Sequence, residues 1–140
     1  MVNFWDTSAI VPLLVREAET AAREAQLRKA SGMVTWWATR AECVSAICRR
    51  EREGLLSGTA VNAALRRLES FCNQWRVVSP SEAILPRAER LLRVHSLRAA
   101  DAIQLAAALM ATREETQNSH FFTADKNLAA AAGKEGFVVL

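Results

Sequence analysis

The chain of 140 residues is 51% apolar, carries a formal net charge of +3 and holds 18 basic against 15 acidic residues. That length suits one domain spanning residues 1–140, with enough chain to bury a proper core. Its apolar runs are too short to cross a bilayer, and the N-terminal segment "MVNFWDTSAIVPLLV" lacks a basic start and contains an acid. Neither a membrane span nor a signal peptide is expected, and a cytoplasmic location follows.

Short β-rich runs alternate with helix-forming segments along the chain. "VNFW" at 2–5 reads as a buried strand ending at Asp6. "TSAIVPLLV" opens with hydroxyl residues suited to helix capping, and Pro12 suits an early helical turn. Residues 16–30 read as a polar, alanine-rich helix, broken at Ser31-Gly32 before a second strand, "MVTWW", at 33–37. Thr39 is placed to cap the next helix with Glu42 as its capping-box partner; that helix stops at Gly54. A further helix runs from about Thr59 to Cys72. "WRVVS" at 75–79 is a third strand, ended by Pro80. Residues 81–94 are helical with an arginine face, and Ser96 precedes the helix "LRAADAIQLAAALM". "SHFFTA" at 119–124 forms a fourth strand ending at Asp125, a short helix follows at 126–132, and "FVVL" is the last strand. The polar insert "TREETQN" at 112–118 belongs to none of these elements.

Such alternation predicts an α/β fold: a three-layer α/β/α sandwich around a mainly parallel sheet. Continuous apolar strands agree with burial on both faces. Ligands in such sheets bind beyond the carboxyl ends of the strands.

Cys43, Cys48 and Cys72 are odd in number and lack a C-x-x-C spacing, so buried free thiols are expected in a reducing compartment. His95 and His120 lie apart from them and suggest no zinc site. Arginines cluster at 40–67 and 87–98, where they suit either phosphate contact or a solvated helix face. Trp36 and Trp37 are candidates for surface left to a partner.

The acids are more informative. Asp6, Asp101 and Asp125 are the only aspartates, and all three fall at the expected carboxyl edge of the sheet. Most glutamates sit in charged helical stretches, but Glu42 lies between Ala41 and Cys43 in the first turn of a helix that follows a strand. Individually, Asp101 suits the positive end of its helix, Glu42 suits a capping box and Asp125 suits a cap. Together they form a carboxylate cluster, which repels itself unless protonated or bridged by cations. Hard divalent ions with oxygen ligands resolve that repulsion, and such ions activate water against phosphodiesters.

The segments "FWDTSAIVPLL", "TRAECVSAI", "LRAADAIQLAAAL" and "FFTADKNLAAAA" resemble the four signature segments of PIN-domain ribonucleases, in order and spacing, over essentially the whole chain. The resemblance is nearest to VapC-type toxins of bacterial toxin–antitoxin pairs. It implies a PIN-like fold and a Mg²⁺- or Mn²⁺-dependent endoribonuclease with Asp6, Glu42, Asp101 and Asp125 as metal-binding and catalytic residues. It implies Thr7, Ser8 and Thr123 as supporting hydroxyls, and a homodimer masked by a cognate antitoxin. Arg40, two residues before Glu42, and Arg98, three before Asp101, are expected near the acids as RNA-binding cations. The alternative is a PIN-fold module that binds RNA or a partner without cutting.

Other readings fare worse. A haloacid-dehalogenase-type phosphatase requires a second aspartate two residues after the first, where Ser8 stands. A receiver domain requires an acid after the third strand, and "WRVVSP" has none. No glycine-rich nucleotide-binding motif is present.

Overall fold

The computed structural model describes residues 1–140. β1 (Asn3–Trp5) leads into α1 (Thr7–Leu14) and α2 (Thr20–Lys29), and β2 (Val34–Trp36) leads into α3 (Thr39–Arg52) and α4 (Gly58–Cys72). β3 (Arg76–Val78) is followed by α5 (Ile84–Val94) and α6 (Ala99–Ala111), and β4 (His120–Phe122) by α7 (Lys126–Lys134) and β5 (Val138–Val139). The strands form one sheet in the order β3-β2-β1-β4-β5, with every pairing parallel.

Parallel neighbours need crossovers, and the helices of those crossovers cover both faces of the sheet. Side chains alternate along a strand, so β1 and β4 each send one aromatic ring to either side. Phe4 and Phe121 join Ala88 and Leu91 of α5, Leu105 of α6 and Leu128 of α7. Trp5 and Phe122 join Ile10 of α1, Ile47 of α3 and Leu68 of α4. Register places Phe4 beside Phe121 and Trp5 beside Phe122, and the rings stack at centroid distances of 5.4 Å and 4.1 Å. The result is the three-layer α/β/α sandwich. Ala106, Ala107 and Ala108 are fully buried in α6, and their small side chains allow the helix to lie close against its neighbours.

Local differences from the sequence reading have local causes. The second helix starts at Thr20 rather than residue 16, because the Thr20 hydroxyl accepts from Glu17 N–H at 2.9 Å and donates to Pro12 C=O at 2.7 Å. That side-chain bonding favours a turn over another helical turn. Thr7 and Ser8 do not cap α1, whose N-cap is Asp6 without a side-chain cap bond. Thr39 does not cap α3 either. Ala38 is its N-cap, and the Thr39 side chain is buried inside the molecule. Only Cys43 is a buried thiol; Cys48 and Cys72 are partly exposed. β3 is an edge strand with Arg76 and Val77 exposed. The 112–118 segment joins α6 to β4 through left-handed backbone at Arg113, Glu114 and Asn118. No helix is long and apolar enough to cross a membrane.

Candidate active site

The parallel sheet sends the chain out of β1, β2 and β4 at one edge. Asp6 follows the last residue of β1, and its N–H donates to Phe122 C=O, extending the pairing of β1 with β4. Asp125 stands three residues past Phe122. Glu42 lies in the first turn of α3 and Asp101 in the first turn of α6. All four carboxylates line one cleft of about 490 Å³ with Thr7, Ser8 and Ser45. A second cleft of about 750 Å³ shares Glu42, Asp101 and Asp125 and continues past Ser96, Arg98 and Asn127.

Asp6 is the most enclosed of the acids, only 5% exposed. Thr123 Oγ1 donates to Asp6 Oδ2 at 2.6 Å, and Ser8 Oγ donates to the same oxygen. The Ser8 hydroxyl in turn accepts from Ala124 N–H at 2.9 Å, and Thr123 Oγ1 from Asp125 N–H at 3.1 Å. Both donors fall on Oδ2, so Oδ1 is left without a side-chain donor. The two hydroxyls thereby lock the orientation of the carboxylate and tie the turn after β1 to the turn after β4.

A second network fixes Glu42. Gln104, 1% exposed on α6, donates from Nε2 to Glu42 Oε1 at 2.9 Å and lies 3.2 Å from the hydroxyls of both Thr7 and Thr39. Gln104 is absent from the sequence reading. Its signal is present, however: one amide among buried alanines and leucines, a single turn beyond Asp101.

Electrostatics show that the acids converge. Burial pushes the Asp6 carboxyl up, the Ser8 and Thr123 hydrogen bonds hold it down in part, and Asp125 adds repulsion. Glu42 is raised by burial and then by Asp6 and Asp101, against the Gln104 and Thr7 hydrogen bonds. Asp101 is raised by burial, Asp125 and Asp6, while Arg98 lowers it. Asp125 also caps α7, accepting from Leu128 N–H at 2.8 Å through Oδ1. Capping is thus part of its role in the fold.

The basic residues are placed differently from expectation. Arg40 turns away from the cleft and pairs with Glu69 of α4 at 2.6 Å. Arg98 is the N-cap residue of α6 and lines the second cleft beside Asp101. Arg49, one of the 40–67 arginine cluster that suits phosphate contact, lines both clefts. It lies seven residues after Glu42, two helical turns along the same face.

This donor set suits a hard divalent cation: oxygen ligands only, mutually repelling, with raised proton affinity. No three His, Cys, Asp or Glu side chains are grouped tightly enough to hold an ion by direct ligation alone.

The PIN domain family model matches residues 4–134. No curated protein matches the sequence. Among solved structures, the fold is similar to FitAB bound to an IR36 DNA fragment, with TM-score 0.70 and 20% identity, over 100% of this chain and 94% of that one. It is similar to FitAcB from Neisseria gonorrhoeae, with TM-score 0.69 and 19% identity, over 100% and 96% of the two chains. A toxin–antitoxin complex from Klebsiella pneumoniae gives TM-score 0.64 and 17% identity, over 99% and 95%. At such identities the likeness is one of fold.

Proposed function

Because the chain belongs to the PIN-domain family, whose members are generally nucleases, we propose that it is a divalent-metal-dependent endoribonuclease and the toxin of a toxin–antitoxin pair. One observation carries the reading: four carboxylates from four separate chain segments line one cleft at the carboxyl edge of the sheet.

Asp6, Asp101, Asp125 and Glu42 are the residues that would hold Mg²⁺ or Mn²⁺. A bound ion supplies charge neutralisation for a phosphodiester and an acidified water. The chain's own part is positioning and proton handling. Ser8 and Thr123 fix Asp6 through its Oδ2. Gln104 engages Glu42 Oε1 and so orients this carboxylate at the cleft, where it could take a proton from an attacking water. Thr7 adds a hydroxyl to the same network.

The toxin assignment draws on the fold shared with the toxin–antitoxin complex from Klebsiella pneumoniae. On this reading the chain is one domain, works in the cytoplasm, forms a homodimer and is silenced by an antitoxin whose basic group reaches toward the acids.

The test incubates purified protein with single-stranded and structured RNA in Mg²⁺, in Mn²⁺ and in chelator. Cleavage that needs the ion and generates internal ends supports the reading. RNA binding without cleavage in either ion would replace it with the non-cutting binding module.

A further inference from the structure

Three of the four arginines of α3 differ sharply in what they touch. Arg40 is tied to Glu69 and Arg50 to Glu17, each an acid of another part of the chain. Arg49 lies one residue before Arg50 yet has neither a hydrogen bond nor an ion pair from its guanidinium. It faces the cleft, and it is the only basic residue that lines both the chamber of the four acids and the adjoining chamber beside Arg98.

We propose that Arg49 holds a phosphate of the RNA strand against the carboxylates, and that the strand runs along both chambers from Ser45 towards Asn127. The proposal rests on the ribonuclease reading above and adds to it the residue that grips the substrate.

Geometry and charge agree. Helical spacing puts Glu42, Ser45 and Arg49 on one face of α3, so the guanidinium stands on the same wall as an acid. Arg98 sits three residues before Asp101, as the N-cap of the same helix, whereas the Arg49 guanidinium has no carboxylate within ion-pair distance. Arg98 is thus partly occupied with an acid, and Arg49 is free to take an anion. A guanidinium pairs with a phosphate through two parallel N–H donors, a geometry a lysine does not reproduce. The lining beyond it is mainly polar, with Ser96, Arg98 and Asn127 continuing the track past Leu97 and Ala100.

The experiment measures affinity for a single-stranded RNA oligonucleotide across a salt series, with Ca²⁺ replacing the catalytic ion, for wild type, Arg49→Ala, Arg49→Lys and Arg28→Ala. Arg28 is an exposed residue in the last turn of α2. It precedes β2 and so lies at the opposite edge of the sheet, which makes it a control for loss of one charge.

Arg49→Ala is expected to weaken binding about tenfold at low salt and to flatten the log–log salt slope by about 0.7, the value of one lost phosphate contact. Arg49→Lys keeps the slope and loses part of the affinity, and Arg28→Ala leaves both unchanged. An unaltered slope in Arg49→Ala, or an equal change in Arg28→Ala, overturns the assignment while wild-type cleavage keeps the nuclease reading intact. Wild-type protein that neither binds RNA nor cuts it removes both.

Discussion

Gln104 of α6 donates to Glu42 of α3 at 2.9 Å, so one acid of the cleft is oriented by a residue buried beneath it. Asp101 stands one turn earlier on the same helix. α6 therefore supplies an acid to the cleft and the support for another acid. Gln104→Leu keeps the volume and removes the donor. We expect cleavage to slow by at least tenfold and the Mg²⁺ midpoint to rise, in line with losses of outer-shell partners. A rate-against-Mg²⁺ titration checks this, and an unchanged midpoint with unchanged rate rejects the supporting role.

Asp6→Asn and Asp101→Asn are expected to abolish cleavage without loss of the fold. In chelator each variant should melt at or above the wild-type temperature, because a repelling charge has been replaced by a neutral isostere. Mg²⁺ should raise the melting temperature of wild type and much less that of either variant. Retained cleavage by purified Asp101→Asn would take that residue out of the site.

The acids also set a pH dependence. Asp6, Glu42 and Asp101 all have folded-state pKa values above the ordinary range, chiefly through burial, and then through repulsion from Asp6 on Glu42 and from Asp125 and Asp6 on Asp101. A raised folded pKa contributes stability at low pH that is lost as pH rises through the folded value. The chelated protein should therefore gain melting temperature as pH falls from neutral into the weakly acidic range. Glu135 acts in the opposite sense: burial raises it, but Arg90 and His95 outweigh burial and bring it below the usual value. Its contribution is lost as pH falls through that lowered value, beneath the window of the other three. Ion binding needs deprotonated ligands, so saturating Mg²⁺ should reverse the trend. A flat melting profile in chelator contradicts the repulsion.

Assembly is open to a direct measurement. Trp37 is 61% exposed and meets Trp36 edge-on at a centroid distance of 6.5 Å. Light scattering at micromolar concentration should give about twice the chain mass of 15.4 kDa. A mass of one chain rules out the homodimer at that concentration.

The sheet and its edge were readable in the sequence because apolar runs and their terminal acids are local patterns. "VNFW" followed by Asp6 and "SHFFTA" followed by Asp125 each state a strand and its exit. The spatial partners of the acids are not local. Nothing near Glu42 in the chain announces Gln104, which reaches it from another helix. The Thr39–Glu42 spacing suggested a capping box, but the buried amide of Gln104 draws on both side chains. Arg40 looked close to the site by sequence distance, yet helical rotation turns it to Glu69 of α4 and brings Arg49 into the cleft instead.

β1 lies at the centre of the sheet, between β2 and β4. Its two neighbours arrive at very different times during synthesis: residues 34–36 soon after it, residues 120–122 only near the end of the chain described. A nascent chain with its first hundred residues exposed has Asp6 and Glu42 but lacks β4, the Thr123 hydroxyl that orients Asp6, and Asp125. The complete cleft cannot assemble until residues 120–125 have left the ribosome. A growing polypeptide that still lacks β4 thus carries isolated acids rather than a cleft, and whatever chemistry the four carboxylates perform together begins only once the central strand has both its neighbours.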